Sequence, residues 1–185
     1  PLYLPPEDYF TTVDGQDLVC LAANGDLDTG ASTLTADSLD IAASGRVDVA
    51  TLHLKRTGGA FDDDTFVFTP NVSRLSFDDL VIERNVELAG PLDLPGSLTL
   101  ASSYKLTMGG QTVAVGNDLI VSGISFALFM TDTDDLLDVS DDVVWTGGSA
   151  SDLRAGVIVV HGQFDVAGTY GAFAPTLEHH VAMVG

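Results

Sequence analysis

Aspartate is the residue whose number and spacing could do chemistry in this chain. Three clusters stand out: Asp62-Asp63-Asp64, Asp132-Thr133-Asp134-Asp135, and Asp138 with Asp141-Asp142. Calcium takes about six to eight oxygen ligands, which closely spaced carboxylates and turn carbonyls can supply. Asp62, Asp63, Asp64, Asp132, Asp134 and Asp135 are the candidate metal ligands, and Ca2+ is the one cofactor the sequence admits. Against it, the chain has no Asp-x-Asp-x-Asp-Gly loop with a distal Glu and no Gly-Gly-x-Gly-x-Asp nonapeptide. Solvated turn aspartates are therefore the first reading and calcium the second.

The other constellations are weaker. Asp78-Asp79 or Asp141-Asp142 could pose as the carboxylate pair of a polysaccharide-cleaving β-helix, but such pairs need a defined separation and a cleft. No Gly-x-Ser-x-Gly elbow or phosphate-binding loop is present, and no catalytic or cofactor-binding residue is assigned. His179 and His180 are adjacent, with His53 and His161 elsewhere; strand neighbours point to opposite faces, so one metal does not easily take both. Trp145 and Tyr104 could stack on sugars, but Trp145 holds an inward-type position and reads as core. Asn71-Val72-Ser73 is a formal glycosylation sequon. Cys20, the only cysteine, lies in the apolar run Leu18–Leu21 and reads as a small buried hydrophobe; one thiol excludes an internal disulfide.

Such residues need a scaffold, and composition points to a β one. Lys, Glu and Gln are scarce, whereas Gly, Asp, Thr, Val and Leu dominate, which suits short strands and tight turns. The formal net charge is -20, and 23 of the 27 acidic residues are Asp. That field disfavours nucleic acid and anionic membrane partners and favours solubility. No apolar run reaches the roughly 20 residues of a spanning helix. The longest, Ile124–Met130, reads as a buried strand.

A strand pair recurs with nearly fixed spacing. Val113-Ala114-Val115 precedes Leu119-Ile120-Val121; Leu137-Asp138-Val139 precedes Val143-Val144-Trp145; Ile158-Val159-Val160 precedes Phe164-Asp165-Val166. The pairs begin 24 and then 21 residues apart, the period of a stack of β-coils. An all-β solenoid, a parallel β-helix with coils of roughly 20 residues, is the predicted fold. The length then gives eight or nine turns and a rod near 40 Å at ~4.8 Å per coil. A β-sandwich is the alternative. Residues 1–16, with Pro1, Pro5, Pro6 and three aromatics, read as an extended cap, linker or donor strand, and residues 17–185 as the solenoid. Leu34, Ala36, Leu39 and Ile41 align with Leu153, Ala155, Ile158 and Val160, so residues 30–70 and 148–185 read as an internal duplication. Pro1 and the strand-like His180–Val184 read as the ends of a piece processed or excised from something longer.

The stretch 96–185, with Leu98-Thr99-Leu100-Ala101-Ser102, Gly109-Gly110-Gln111-Thr112-Val113-Ala114-Val115-Gly116-Asn117-Asp118, Asp135-Leu136-Leu137-Asp138-Val139 and Leu153-Arg154-Ala155-Gly156-Val157, resembles the repeat region of large secreted bacterial surface proteins. These are β-solenoids similar to filamentous-haemagglutinin and autotransporter passenger regions, often beside immunoglobulin-like repeats. The resemblance implies display, adhesion or scaffolding outside the cell and transfers no catalytic residue. The expected function is a non-enzymatic extracellular structural or adhesive module, a segment of a surface adhesin or a subunit of a surface filament. Expected partners are further copies head to tail, adjoining repeats of the same polypeptide, or surface glycans, with no nucleic acid and no membrane insertion. A carbohydrate-active or carbohydrate-binding β-helix is the alternative.

Overall fold

The computed structural model describes residues 2–3, 18–20, 26–28, 33–36, 39–41, 46–56, 65–70, 73–101, 103–123, 127–147, 152–167 and 173–184. Among these the chain forms strands and no helix. The first part supplies β1 (Leu2–Tyr3), β2 (Leu18–Cys20), β3 (Asp26–Asp28), β4 (Thr33–Ala36), β5 (Leu39–Ile41), β6 (Arg46–Lys55), β7 (Thr65–Phe68) and β8 (Leu75–Glu83). Four coils of three short strands follow. They are β9 (Asn85–Leu88), β10 (Leu92–Leu94) and β11 (Leu98–Leu100); β12 (Leu106–Thr107), β13 (Thr112–Val115) and β14 (Leu119–Val121). Then come β15 (Leu128–Met130), β16 (Leu136–Val139) and β17 (Val143–Trp145); β18 (Asp152–Leu153), β19 (Val157–Val160) and β20 (Phe164–Val166). Strand β21 (His180–Met183) closes the series.

Every ladder between these strands is parallel, which excludes the antiparallel β-sandwich. One sheet runs β10-β13-β16-β19-β21, a second β20-β17-β14-β11-β8-β6-β3 with β4 beside β6, and a third β18-β15-β12-β9-β7; β1, β2 and β5 form a short fourth sheet. Each coil thus visits three faces of a prism. Leu92, Val113, Leu137, Ile158 and Val181 pair in succession at steps of 21, 24, 21 and 23 residues.

The stack has about six turns of roughly 21 residues. That is fewer than the eight or nine obtained by dividing the length, a division that counts every residue as part of a regular coil, whereas the even steps run from Leu92 to Val181. Six coils at ~4.8 Å give a body about 29 Å long, against the 40 Å expected.

The period-2 alternation sends one side chain in and the next out. Leu98, Leu119 and Val143 are fully buried, with Thr99, Ile120 and Val144 half-exposed between coils on the outer wall. Burying each such Leu or Val contributes about 1.5–3 kcal/mol. Trp145 is fully buried and meets Phe173 edge-on at 5.1 Å, so it is core, as its repeat position predicts. Corners require close approach: a Cβ on Gly116 would collide with the Pro95 carbonyl oxygen.

Leu2–Tyr3 of the proline-rich opening pair parallel with Leu18–Val19, and residues 4–17 lie outside the described residues. Leu34 and Leu153, matched in the duplication, lie in strands of different sheets, β4 and β18. The repeat unit in the ladder is the coil.

Candidate functional site

Several aspartates occupy corners, where the residue just before a strand is a recurring position, while others such as Asp93 and Asp138 lie within strands. Ser97, Asp118, Asp142 and Gln163 each immediately precede the third strand of a coil, β11, β14, β17 and β20, and Asp79 holds the matching position inside β8, just before Leu80, which pairs with Leu98. The Asp79 Oδ1 accepts from the N–H of Ser97 at 2.7 Å, Asp118 Oδ1 from the N–H of Asp142 at 3.1 Å, and Asp142 Oδ1 from the N–H of Gln163 at 2.7 Å. Asn85 does the same at another corner, its Oδ1 accepting from the N–H of Lys105 at 3.2 Å. These side chains satisfy backbone donors at bends, where the ladder alone leaves them unmatched. Among the described residues Asp79, Asp118, Asp135 and Asp142 use carboxylate oxygens in this way between coils.

Asp132, Asp134 and Asp135 share the turn between β15 and β16. Asp135 is buried; its Oδ1 accepts from the N–H of Gly110, one coil back, at 2.7 Å, and its Oδ2 from the N–H of Asp132 at 3.0 Å. Asp132 Oδ1 accepts from the N–H of Asp134 at 3.0 Å, and both of these residues are exposed. Both Asp135 oxygens and Oδ1 of Asp132, three of the six carboxylate oxygens that spacing assigns to calcium in this turn, thus accept from backbone N–H groups. Asp62, Asp63 and Asp64 lie outside the described residues.

A different acidic group is brought together by the coil step. Carboxylate oxygens of Asp118, Asp141 and Asp142 lie within 4.8 Å of one another. Sequence reading paired Asp141 with Asp142 and missed Asp118, 24 residues earlier. The signal was the period itself, since the same step carries Leu119 onto Val143. Three carboxylates fall short of a full calcium shell, and two of them already accept backbone hydrogen bonds.

The adjacent histidines differ in exposure as expected, although only His180 belongs to β21: His179, just before the strand, is buried and His180 exposed. The His179 Nδ1 donates to the Ala155 carbonyl at 2.9 Å, its Nε2 is buried with no hydrogen-bond partner, and the ring packs edge-on against Phe173. Burial pushes the imidazole below its ordinary value of 6.5. His161 stands apart, 3.0 Å from Asp138 on the outer wall.

One cleft of about 190 Å³ opens where the wall splays. The Gly96 N–H donates to the Asp78 carbonyl at 2.9 Å, whereas Leu75–Phe77 and Leu92–Leu94, whose residues line the cleft, form no ladder. Leu75, Phe77, Leu92, Pro70 and Pro95 line it, with Ser76 and Asp93 as the polar members. Among the described residues no helix is long and apolar enough to cross a membrane. Comparison with protein families, curated proteins and solved structures finds no match.

Proposed function

We propose that this β-solenoid is a non-enzymatic structural module of an extracellular surface protein, of the large secreted bacterial class its repeats resemble. The observation that carries the reading is the corner brace. Asp79, Asp118, Asp142 and Asp135 spend carboxylate oxygens on holding one coil to the next. A solenoid braced this way is a stiff spacer, in which each coil contacts its neighbours and length is set by coil number. Its net charge of -20 keeps the outer wall soluble and repels nucleic acid and anionic lipid.

Surface biotinylation of intact producing cells, with immunogold microscopy, tests the proposal. Label on extended material outside the cell supports it; label confined to the cell interior overturns it. The runner-up, carbohydrate binding, rests on the cleft at Phe77, where Pro70 and Pro95 offer apolar faces beside Asp93. Glycan-array binding lost on Phe77→Ala in a folded variant would favour that reading instead.

A further inference from the structure

We propose that the cleft between the start of β8 and β10 seats one apolar side chain of a partner polypeptide, whose flanking Lys or Arg meets Asp93. The inference goes beyond the structural-module reading by giving the module a partner site.

Topology makes the cleft. On two walls the coils that bound it are laddered, β8 with β11 through Leu80 and Leu98, and β7 with β9 through Phe66 and Val86. On the third wall, among the described residues, β10 pairs only with β13, while Leu75–Phe77 pair back with Val47–Val49. The Val47 N–H donates to the Arg74 carbonyl and the Gly116 N–H to the Leu94 carbonyl, both away from the cleft. Alternation then turns the backbone groups of Leu75, Phe77 and Asp93 into it. Polar backbone in such a place is satisfied by water or by a ligand.

Size and shape narrow the occupant. The cleft holds about 190 Å³, and an apolar cavity of about 150 Å³ in another protein accepts benzene. The laddered walls keep the coils one strand apart, so a single ring fits where a whole inserted strand does not. Leu75, Phe77 and Leu92 form the floor, each less than a tenth exposed. Ser76 and Asp93, which alternate outward, are exposed at the mouth.

Charge sets the class. The net charge of -20 steers cations to the wall, and exposed Asp78 follows Phe77 directly. A cation at the tip of an inserted side chain would be desolvated among Leu75, Phe77 and Leu92. The apolar group therefore enters and the cation stays at the mouth beside Asp93. In an extended segment that places Lys or Arg two residues from the anchor, on the same side. A neutral hexose fits less well, because its hydroxyls would meet an apolar floor with Ser76 and Asp93 as the polar side chains at hand.

Amide-resolved NMR titration with the end-capped peptide Lys-Gly-Phe-Gly-Lys tests this. The expected result is saturable shifts at Ser76, Phe77 and Asp93. Asp93→Asn should weaken binding about two- to fivefold, as the loss of an exposed ion pair does. Glu87→Gln, at an exposed position of β9, should leave it unchanged. Ser76→Trp, which fills the mouth from outside, should abolish it with the other amides in place. Lys-Gly-Ala-Gly-Lys and Glu-Gly-Phe-Gly-Glu should give no saturable shift. Three results overturn the proposal: no saturable shift with millimolar lysine peptide, an equal response to the alanine or glutamate peptide, or equal weakening in Asp93→Asn and Glu87→Gln. A hexose that shifts these amides where the lysine peptide does not overturns it too, and gives the cleft to carbohydrate. The surface-labelling result stands apart from all of these.

Discussion

The Asp118 carboxylate accepts a hydrogen bond from the backbone N–H of Asp142, 24 residues later in sequence and one coil further along the stack, at 3.1 Å. Asp142 repeats the contact toward Gln163 at 2.7 Å. Short acidic side chains therefore work across coils, binding backbone donors at corners where neither neighbouring strand can reach them. An Asp is short enough to hold this geometry with little rotamer freedom to lose, and Asn85 shows that the acceptor oxygen, rather than the charge, is the shared requirement.

Removing one brace should cost measurable stability. Asp142→Ala leaves the Gln163 N–H without its partner and is expected to destabilise the fold by about 1–2 kcal/mol. For a chain of this size that lowers Tm by roughly 2–8 °C. Asp142→Asn keeps an acceptor and should lose less than half as much. Thermal circular dichroism of the two variants checks this; an Asn variant as weak as the Ala one would sink the brace as described.

Calcium should have little to do at these corners. Asp118 and Asp142 each have one oxygen already held by an N–H, and Asp135 has both held. Adding calcium at about 5 mM is expected to leave Tm within about 1 °C, whereas binding a hundredfold below that concentration would stabilise by about 2.7 kcal/mol. A rise of several degrees that disappears in Asp141→Ala would establish a cation site at Asp118, Asp141 and Asp142.

Acid should loosen the last coil through His179. Desolvation lowers its pKa below 6.5, the bond to the Ala155 carbonyl opposes this, His180 adds to it, and Asp135 opposes it. The unfolded chain therefore binds this proton at higher pH than the folded one. The contribution to stability is complete above about 6.5 and is lost as pH falls below that value and through the folded pKa. His179→Phe keeps a ring beside Phe173 but cannot titrate. It should be less stable than wild type at pH 7.5, having lost the Ala155 bond, and its Tm should fall less between pH 7.5 and 5. Parallel Tm profiles for the two proteins would remove His179 from the account.

The coil was legible because the inward pairs Val113/Val115, Leu137/Val139 and Ile158/Val160 repeat at the spacing the ladder uses. The turn count was not, because periodicity reports the step between paired strands and is silent on residues spent outside them. Site geometry was half legible. Adjacency in sequence exposed Asp141-Asp142 and Asp132–Asp135, but the partner of a corner carboxylate is a backbone N–H some 20 residues away, and backbone carries no residue-type signal. The match of Leu34 with Leu153 shows the converse hazard. In a chain so rich in Leu, Ala and Val, similar spacing joins positions on different faces, β4 and β18.

Backbone substitutions separate close approach from conformation. Gly156 has φ +77°, and a Cβ there would lie 2.5 Å from the Asp135 carbonyl oxygen. Gly109 has φ +64° with its nearest neighbour, the Leu88 carbonyl oxygen, at 3.5 Å. Gly109→Ala should cost about 1–2 kcal/mol, the left-handed penalty alone. Gly156→Ala should exceed it, because the obstacle is the backbone of the residue that braces Gly110. Denaturant midpoints measured on both variants decide the order, and equal losses would show that the Asp135 turn moves aside without cost.

Leu177 offers the opposite sign. It is the one described non-glycine residue with positive φ, at 60°, and its side chain is 84% exposed, so it bears left-handed strain with little packing in return. Asn tolerates that conformation better through its short polar side chain. Leu177→Asn is expected to stabilise the monomer by about 0.5–1 kcal/mol in dilute solution, read as a higher denaturant midpoint at unchanged slope. A midpoint that stays put or falls in Leu177→Asn would show that the Leu side chain stabilises the fold by more than its left-handed backbone costs.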